Sequence, residues 1–366
     1  MKEKIICGIQ QVGIGVRNVA EAWSWYREHF GFTVKVFEDE GVAELMLPYT
    51  GGKPQPRYAN LVLNMRGGSG FEIWEPRQRE LNYPETEPRL GDTGIFACKI
   101  KCSDITSAYR TFMRKGLNVL NEPITSPWGK EHFFVRDPWG NLFDIEEDHY
   151  VFVRASHLTG GGNGVTLGVT EMDHSLEFYR NLLDYDTVVS DTSGVFEDLN
   201  GIPGSENTLR RVLLKRSKPL QGPMSELMGT SHLELIQTLS SIPSGIYEGR
   251  MWGDPGFIHL CFDIRNMDTL QKEAETLGHP FVCDSGSGFD MGDANGHFSY
   301  VEDPDGTLIE FVETFRIPVI KRLGLYIDLR NKDDKNPLSR FITKSLRLLS
   351  AKPKRKSDTT GDPVQS

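Results

Sequence analysis

The stretch DPWGNLFD at residues 137–144 recurs as DPDGTLIE at residues 303–310. In both copies the Asp-Pro-x-Gly sequence is typical of a tight turn, and the residues around it favour two antiparallel strands. Each copy ends in one acid, Asp144 or Glu310, inside an otherwise apolar strand. The repeat therefore predicts that the chain contains the same structural unit at least twice.

A second repeated stretch lies near the start of each half. VAEAWSWYREHFGF at residues 19–32 and MDHSLEFYRNLLDY at residues 172–185 both follow an apolar, strand-like run. Their apolar residues recur at helical spacing. Shorter helices are predicted at residues 105–115 and 267–277, each followed by glycine. The pattern predicts an α+β chain of four strand–helix–three-strand (βαβββ) modules, at residues 5–76, 93–148, 163–240 and 255–314.

The modules form two halves, joined by the glycine-rich residues 158–164, which favour a flexible linker. We expect a first domain at residues 1–150 and a second at residues 160–315. A basic tail follows at residues 316–366, with a short amphipathic helix at 337–349 and a disordered end. The helix is expected to pack on the acidic body or to form a subunit contact. Contact with a membrane surface is the second interpretation.

Composition narrows the class of protein. The 366 residues carry a formal net charge of −10, which argues against a nucleic-acid partner, because binding phosphates needs a positive surface. The sequence has no apolar run of transmembrane length and no signal-peptide pattern at its start. Its 5 cysteines are scattered, which favours a reducing compartment. We expect a cytoplasmic monomer or homodimer that acts on a small molecule.

With these repeats the chain resembles the vicinal oxygen chelate superfamily of glyoxalases, bleomycin-resistance proteins and ring-cleaving dioxygenases. The two repeated stretches carry the resemblance, which covers about residues 5–314. It implies two glyoxalase-like domains in which modules face each other in pairs and their curved, mixed sheets surround a cleft. It also implies that the first and last strands of paired modules supply the ligands of one divalent metal ion.

The resemblance places the ligand positions of the first module on Gln11 and Glu72, and those of the fourth on His259 and Glu310. The corresponding positions are Ile95 or its neighbour and Asp144 in the second module, and Gly164 and Glu234 in the third.

The residues themselves support a metal site. An ionised carboxylate on an apolar strand face is costly unless it is paired or bound to a cation. Glu72, Glu234 and Glu310 all stand in apolar strands, and His259 lies in another. A single acid of this kind is most simply a solvent-facing residue. Three at one module position, with a histidine at another, favour a shared divalent ion.

Two pairings of the modules remain open. If the first module faces the fourth, one complete ligand set results and the other site is degenerate; the complete set is Gln11, Glu72, His259 and Glu310. If modules pair within each half, the second half supplies Glu234, His259 and Glu310. We favour the crossed pairing because it explains why the strongest ligands lie in the first and fourth modules.

Oxygen and imidazole ligands suit zinc, nickel, cobalt, manganese or iron. The resemblance implies proton abstraction next to a carbonyl by an isomerase, epimerase or glyoxalase-type lyase, with Glu310 as the base and Glu72 as its counterpart. Arginines are missing close to the ligand positions, which argues against a glutathione-linked substrate. The alternatives are an extradiol-type ring-cleaving dioxygenase with Fe(II) and a non-catalytic small-molecule binding protein of the same fold.

Overall fold

The computed structural model describes residues 2–286, 289–291, 294–320 and 325–350. The first predicted module has the expected strand–helix–three-strand order, and the second differs in having four strands after its helix. The first consists of β1 (Ile5–Gly15), α1 (Val19–His29), β2 (Val34–Ala43), β3 (Gln55–Leu63) and β4 (Gly70–Pro76). The second consists of β5 (Gly94–Cys102), α2 (Ile105–Arg114), β6 (Asn118–Val119), β7 (Ile124–Thr125), β8 (Glu131–Arg136) and β9 (Leu142–Glu147).

The second half repeats this arrangement, with a short extra helix in the third module and four strands after the helix of the fourth. The third module consists of β10 (Thr159–Gly168), α3 (Met172–Leu183), β11 (Thr187–Gly194), β12 (Leu209–Lys215), α4 (Ser225–Met228) and β13 (His232–Thr238). The fourth consists of β14 (Gly256–Arg265), α5 (Met267–Thr276), β15 (Cys283–Asp284), β16 (Phe289–Met291), β17 (Ala294–Glu302) and β18 (Leu308–Ile320). β19 (Leu325–Asp328) and α6 (Arg340–Ser345) follow in the tail. The chain is therefore α+β, as predicted.

The modules pair across the two halves. In sheet A the main strand order is β15-β17-β18-β14-β1-β4-β3-β2, which joins the fourth module to the first. In sheet B it is β11-β12-β13-β10-β5-β9-β8-β6, which joins the third to the second. β1 runs antiparallel to β14, and β10 runs antiparallel to β5. The crossed pairing is thus the one that the chain adopts.

The two repeated stretches meet in the core. Tyr26 of α1 donates a hydrogen bond of 2.7 Å to Asp137, and Tyr179 of α3 donates one of 2.7 Å to Asp303. These two acids open the Asp-Pro-x-Gly turns, and all four side chains are buried. Each helix therefore binds the turn of the next module along the chain, which lies in the other sheet. This contact explains why both stretches occur in both halves.

The prediction of a flexible linker at residues 158–164 is wrong, because most of this stretch is the buried start of β10. Gly162 forms a β-bridge with Ser69, and an added Cβ on it would lie 2.0 Å from the Ser69 Oγ atom. An added Cβ on Gly161 would lie 2.5 Å from the Ser69 carbonyl oxygen. The glycines allow two backbones to pack closely, and they do not mark a mobile segment.

The tail packs on sheet A. β18 continues to Ile320 and pairs with β19, so the sheet extends past residue 315. Helix α6 and a following 3₁₀ turn, Leu346–Leu349, form the short helical segment that residues 337–349 predict. Ser350 forms a β-bridge with Val34 of β2. The predicted disordered end, residues 351–366, lies outside the described residues.

Candidate metal centre

Four adjacent strands of sheet A bring the predicted ligands together. Gln11 and Gly13 lie on β1, where Gln11 is opposite Cys261 and Gly13 is opposite His259 of β14. Gly13 also pairs with Glu72 of β4, and Cys261 pairs with Glu310 of β18. Because side chains alternate between the faces of a strand, this register directs Gln11, Glu72, His259 and Glu310 to one side of the sheet.

The four side chains are in contact and buried, with 3%, 4%, 0% and 6% of their surface exposed for Gln11, Glu72, His259 and Glu310. The Gln11 amide nitrogen lies 3.0 Å from a carboxylate oxygen of Glu72 and 3.3 Å from one of Glu310. The His259 Nε2 atom lies 3.4 Å from the same Glu72 oxygen and 3.2 Å from the same Glu310 oxygen. Ligand atoms of Glu72, His259 and Glu310 all lie within 4.8 Å of one another.

The charges of this cluster interact strongly. Burial raises the pKa of Glu72, and the neighbouring His259 only partly opposes this effect. Burial also disfavours ionised Glu310, but the charge on His259 outweighs this and leaves the pKa of Glu310 below its ordinary value. Burial alone would lower the pKa of His259, whereas the two carboxylates raise it to about 9. The two acids thus favour a positive charge between them.

A divalent cation fits the unsatisfied atoms of the cluster. Among the described residues, the Gln11 Oε1 and His259 Nδ1 atoms are buried without a hydrogen-bond partner, and the His259 Nε2 atom faces the two carboxylates without a well-aligned hydrogen bond. A half-turn of the Gln11 amide would exchange its nitrogen for oxygen at the centre of the cluster. One amide oxygen, one imidazole nitrogen and two carboxylates form a donor set that divalent transition metals accept.

Glycine at position 13 makes room for the imidazole. A Cβ added there would lie 2.4 Å from the Cε1 atom of His259 and 2.6 Å from its Nε2 atom, closer than real atoms approach. The corresponding pair in sheet B is Thr166 opposite Ala97, so the larger and smaller residues are exchanged. The pairing of glycine with histidine therefore distinguishes the sheet A site from the sheet B site.

The cluster lies at the wall of a cavity of about 320 Å³ on sheet A. Gln11, Glu72 and Glu310 line it, and Tyr300, whose ring centre lies 5.5 Å from that of His259, lines it beside them. Most other side chains around the cavity are apolar, from sheet A, α4 and the tail. A small molecule in this cavity would reach the carboxylates.

Sheet B holds the counterpart of this site. Gly164 is opposite Lys99 as Gln11 is opposite Cys261, and Thr166 is opposite Ala97 as Gly13 is opposite His259. The counterpart of His259 is therefore Ala97. Assigning it to Ile95 or its neighbour is wrong, because Ala97 is the residue that lies opposite Thr166 as His259 lies opposite Gly13. The sheet B site consequently has neither the amide nor the imidazole ligand.

A lysine lies between the two acids of the sheet B site. The Lys99 Nζ atom lies 2.6 Å from Asp144 Oδ2 and 2.8 Å from Glu234 Oε2, with its side chain fully buried. Arg211 binds the other oxygen of Glu234 at 2.8 Å, and His132 Nδ1 lies 2.9 Å from Asp144. Burial would raise the pKa of Glu234, but Lys99 and Arg211 lower it to about 2. These carboxylates are already neutralised.

The ligand set Glu234, His259 and Glu310, expected for pairing within the second half, is therefore wrong. Glu234 lies in sheet B and forms ion pairs with Lys99 and Arg211, whereas His259 and Glu310 lie in sheet A.

Two charged residues of the sheet B site, His132 and Lys99, are missed when the sequence alone is considered. His132 contacts Asp144 within the buried ion-pair network. Lys99 stands in the apolar strand GIFACKIKC, in which a buried lysine needs a carboxylate partner. A lysine inside this apolar strand was the available signal.

Comparison with known proteins agrees with this architecture. The sequence model of the Glyoxalase/Bleomycin resistance protein/Dioxygenase superfamily matches residues 8–145 and 157–311. Glyoxalase I from Zea mays superposes with a TM-score of 0.50 at 15% identity, covering 85% of this chain and 92% of that chain. A putative dioxygenase from Bacillus subtilis superposes with a TM-score of 0.52 at 12% identity, covering 85% and 86%. A search of curated proteins found no match.

At these identities the solved structures establish the fold alone. The described residues contain no helix long and apolar enough to cross a membrane. The two matched segments span most of the sequence and correspond to the two halves of the repeat. The chain belongs to the Glyoxalase/Bleomycin resistance protein/Dioxygenase superfamily.

Proposed function

We propose that this protein is a metal-dependent enzyme that removes a proton next to a carbonyl group, as an isomerase, epimerase or glyoxalase-type lyase. Its substrate is a small molecule with two neighbouring oxygens. One observation carries the proposal: Gln11, Glu72, His259 and Glu310 converge, buried, at the wall of a cavity. Among the described residues the Gln11 Oε1 atom has no hydrogen-bond partner, and the His259 Nε2 atom faces both carboxylates.

These four residues would hold the ion, through Gln11 Oε1, His259 Nε2 and one carboxylate oxygen from each acid. A bound zinc, nickel, cobalt, manganese or iron ion supplies Lewis-acid stabilisation of negative charge on a substrate oxygen. Residues of sheet A position the donors. Gly13 accommodates the imidazole, and Tyr300 packs against its edge.

Glu310 is the proposed base, with Glu72 as its counterpart across the cluster. Both line the cavity, so a substrate carbon next to a carbonyl can approach either carboxylate. A positive charge beside Glu310, from protonated His259 in the metal-free protein or from a bound ion in its place, would keep this carboxylate ionised and able to accept a proton. Apolar walls limit the access of water to the proton while Glu310 holds it.

The donor set argues against the dioxygenase alternative. Extradiol-type iron sites resemble a facial triad of two histidines and one carboxylate. The cluster in sheet A has one histidine and two carboxylates. A binding protein without catalysis is the remaining alternative, which the apolar cavity favours. The two buried acids argue against a binding protein, because burying carboxylates in a metal-free cleft costs free energy that no bound cation offsets.

Hydrogen exchange tests the proposal without knowledge of the product. Protein loaded with each candidate metal is incubated in D₂O with a panel of 2-hydroxy ketones and 2-oxo aldehydes, and NMR follows loss of the proton next to the carbonyl. We expect wild-type protein to accelerate exchange in at least one substrate, and Glu310→Gln to abolish it. Glu44→Gln is the control, because Glu44 is an exposed acid of the same cavity. Equal exchange in Glu310→Gln and wild type would rule out the assigned base.

A further inference from the structure

The cavity extends well beyond the metal-ligand cluster. Leu61 of β3 is opposite Glu72, and Leu63 lies two residues farther towards one end of the strand. At that end the cavity is lined by side chains from four separate parts of the chain. We call this part of the cavity the tail-side chamber, and its lining residues are Leu63, Met224, Leu227, Ile317 and Leu346. The chamber begins beside the carboxylates and ends at the C-terminal tail.

The tail-side chamber is an apolar compartment. Leu63, Leu227 and Leu346 are buried together in one cluster that also contains Phe152 and Val34. Ile317 packs with the tail residues of a neighbouring cluster. Water in such a compartment finds few polar partners, so an apolar group that displaces it gains binding free energy in proportion to the area it buries.

The tail forms the outer wall of this chamber. Leu338 donates a backbone hydrogen bond of 2.9 Å to Pro223, and Arg340 contacts Glu226 at 2.9 Å. The following turn directs Leu346, which is 2% exposed, into the chamber, and Leu348, which is 70% exposed, outward. The tail therefore contributes a specific side chain to the cavity wall in addition to covering sheet A.

We infer that the substrate carries an extended apolar group, alkyl or aryl, next to its two chelating oxygens, and that the tail-side chamber binds this group. The inference rests on the proposed function for the position of the oxygens. A cavity of about 320 Å³ is at the lower end of the range for pockets that enclose drug-sized molecules. Leu346 is then a specificity-determining residue supplied by the C-terminal tail.

A series of 2-hydroxy acids with a constant chelating end tests this inference. Calorimetry on metal-loaded protein compares 2-hydroxypropanoic, 2-hydroxyhexanoic and 2-hydroxydecanoic acids. Each methylene that enters the chamber is expected to tighten binding by about fourfold, so affinity should rise by at least about tenfold from the shortest acid to the longest. Equal affinity for all three would overturn the inference.

Paired tail variants locate the binding of the apolar group. Leu346→Trp fills the chamber and is expected to weaken binding of 2-hydroxydecanoic acid by about tenfold, with 2-hydroxypropanoic acid unchanged within about twofold. Leu348→Trp, the control on the exposed side, should leave both affinities unchanged. Should Leu346→Trp misfold, Leu346→Ala provides the same comparison by removing part of the wall. Unchanged selectivity in a folded Leu346 variant would exclude the chamber.

Binding of 1-decanol to metal-free protein separates this inference from the proposed function. Decanol has no chelating pair, so its binding depends on the chamber alone. If wild-type protein binds decanol, Leu346→Trp does not and no metal is taken up, the chamber stands and the proposed enzyme function falls. If metal and the shortest acid bind, but decanol does not bind and the affinity of the acids does not depend on chain length, the chamber falls and the metal centre stands.

Discussion

Replacing Lys99 with methionine tests the conclusion that a lysine ammonium neutralises the acids of the sheet B site. Methionine keeps the apolar stem and approximate volume but removes the charge that lies 2.6 Å from Asp144 and 2.8 Å from Glu234. Breaking a buried ion pair from one side costs about 3–5 kcal/mol. Asp144 retains His132 and Glu234 retains Arg211, so we expect the lower end, a loss of about 3 kcal/mol in the free energy of unfolding.

Urea unfolding followed by circular dichroism measures this loss. Lys115→Met, a change at an exposed lysine at the end of α2, is the control and should alter the free energy of unfolding by less than about 0.5 kcal/mol. Adding Glu234→Gln to Lys99→Met should recover part of the loss, because one uncompensated charge is removed. A loss below about 1 kcal/mol in Lys99→Met would show that the ammonium does not stabilise these acids as its position indicates.

Three further outcomes follow from other contacts. Burial opposes the charged form of His132, but the carboxylates beside it raise its pKa to about 9. The stabilisation from protonated His132 is therefore complete below the unfolded pKa of about 6.5 and is lost as pH rises through about 9. Over this window the unfolding free energy of wild type should fall by up to about 3 kcal/mol more than that of His132→Asn, and equal pH profiles would contradict this. Gly13→Ala should displace His259 and weaken metal binding at least about tenfold in a folded protein, measured by competition with a chelating dye; unchanged affinity would show that the ring does not need the space beside Gly13. Tyr26→Phe should lower the unfolding free energy by about 1–2 kcal/mol in urea titration, because Asp137 loses one buried donor and keeps those of Trp139 and Asn141. No loss would show that this contact contributes little.

Much of the fold could be predicted because its repeats are local. The Asp-Pro-x-Gly turns and the helices that bind them are short stretches whose residue types identify them directly. The preference for crossed pairing came from the distribution of ligand types, since Gln11, Glu72, His259 and Glu310 make a complete set in sheet A. The predicted domain boundaries, residues 1–150 and 160–315, stay a prediction. They follow the sequence repeat, whereas each sheet is built from strands of both halves.

Other features depend on contacts far apart in sequence. The glycines at residues 158–164 have the composition of a linker, and only their close approach to Ser69 reveals a strand. Lys99 becomes a partner for two acids only when β5, β9 and β13 are assembled. Leu346 belongs to the cavity wall because the tail folds back over β2 and β3, which local patterns could not indicate.

Metal content is the decisive measurement for the site in sheet A. Plasma mass spectrometry is applied to protein purified without a metal-affinity tag, for wild type, Glu72→Ala, His259→Ala and the sheet B control Glu234→Gln. We expect about one divalent ion per chain in wild type and in Glu234→Gln, and its loss in both sheet A variants. The metal centre is contradicted if wild type binds no metal after loading with each candidate ion, or if the ion persists when Glu72 and His259 are replaced.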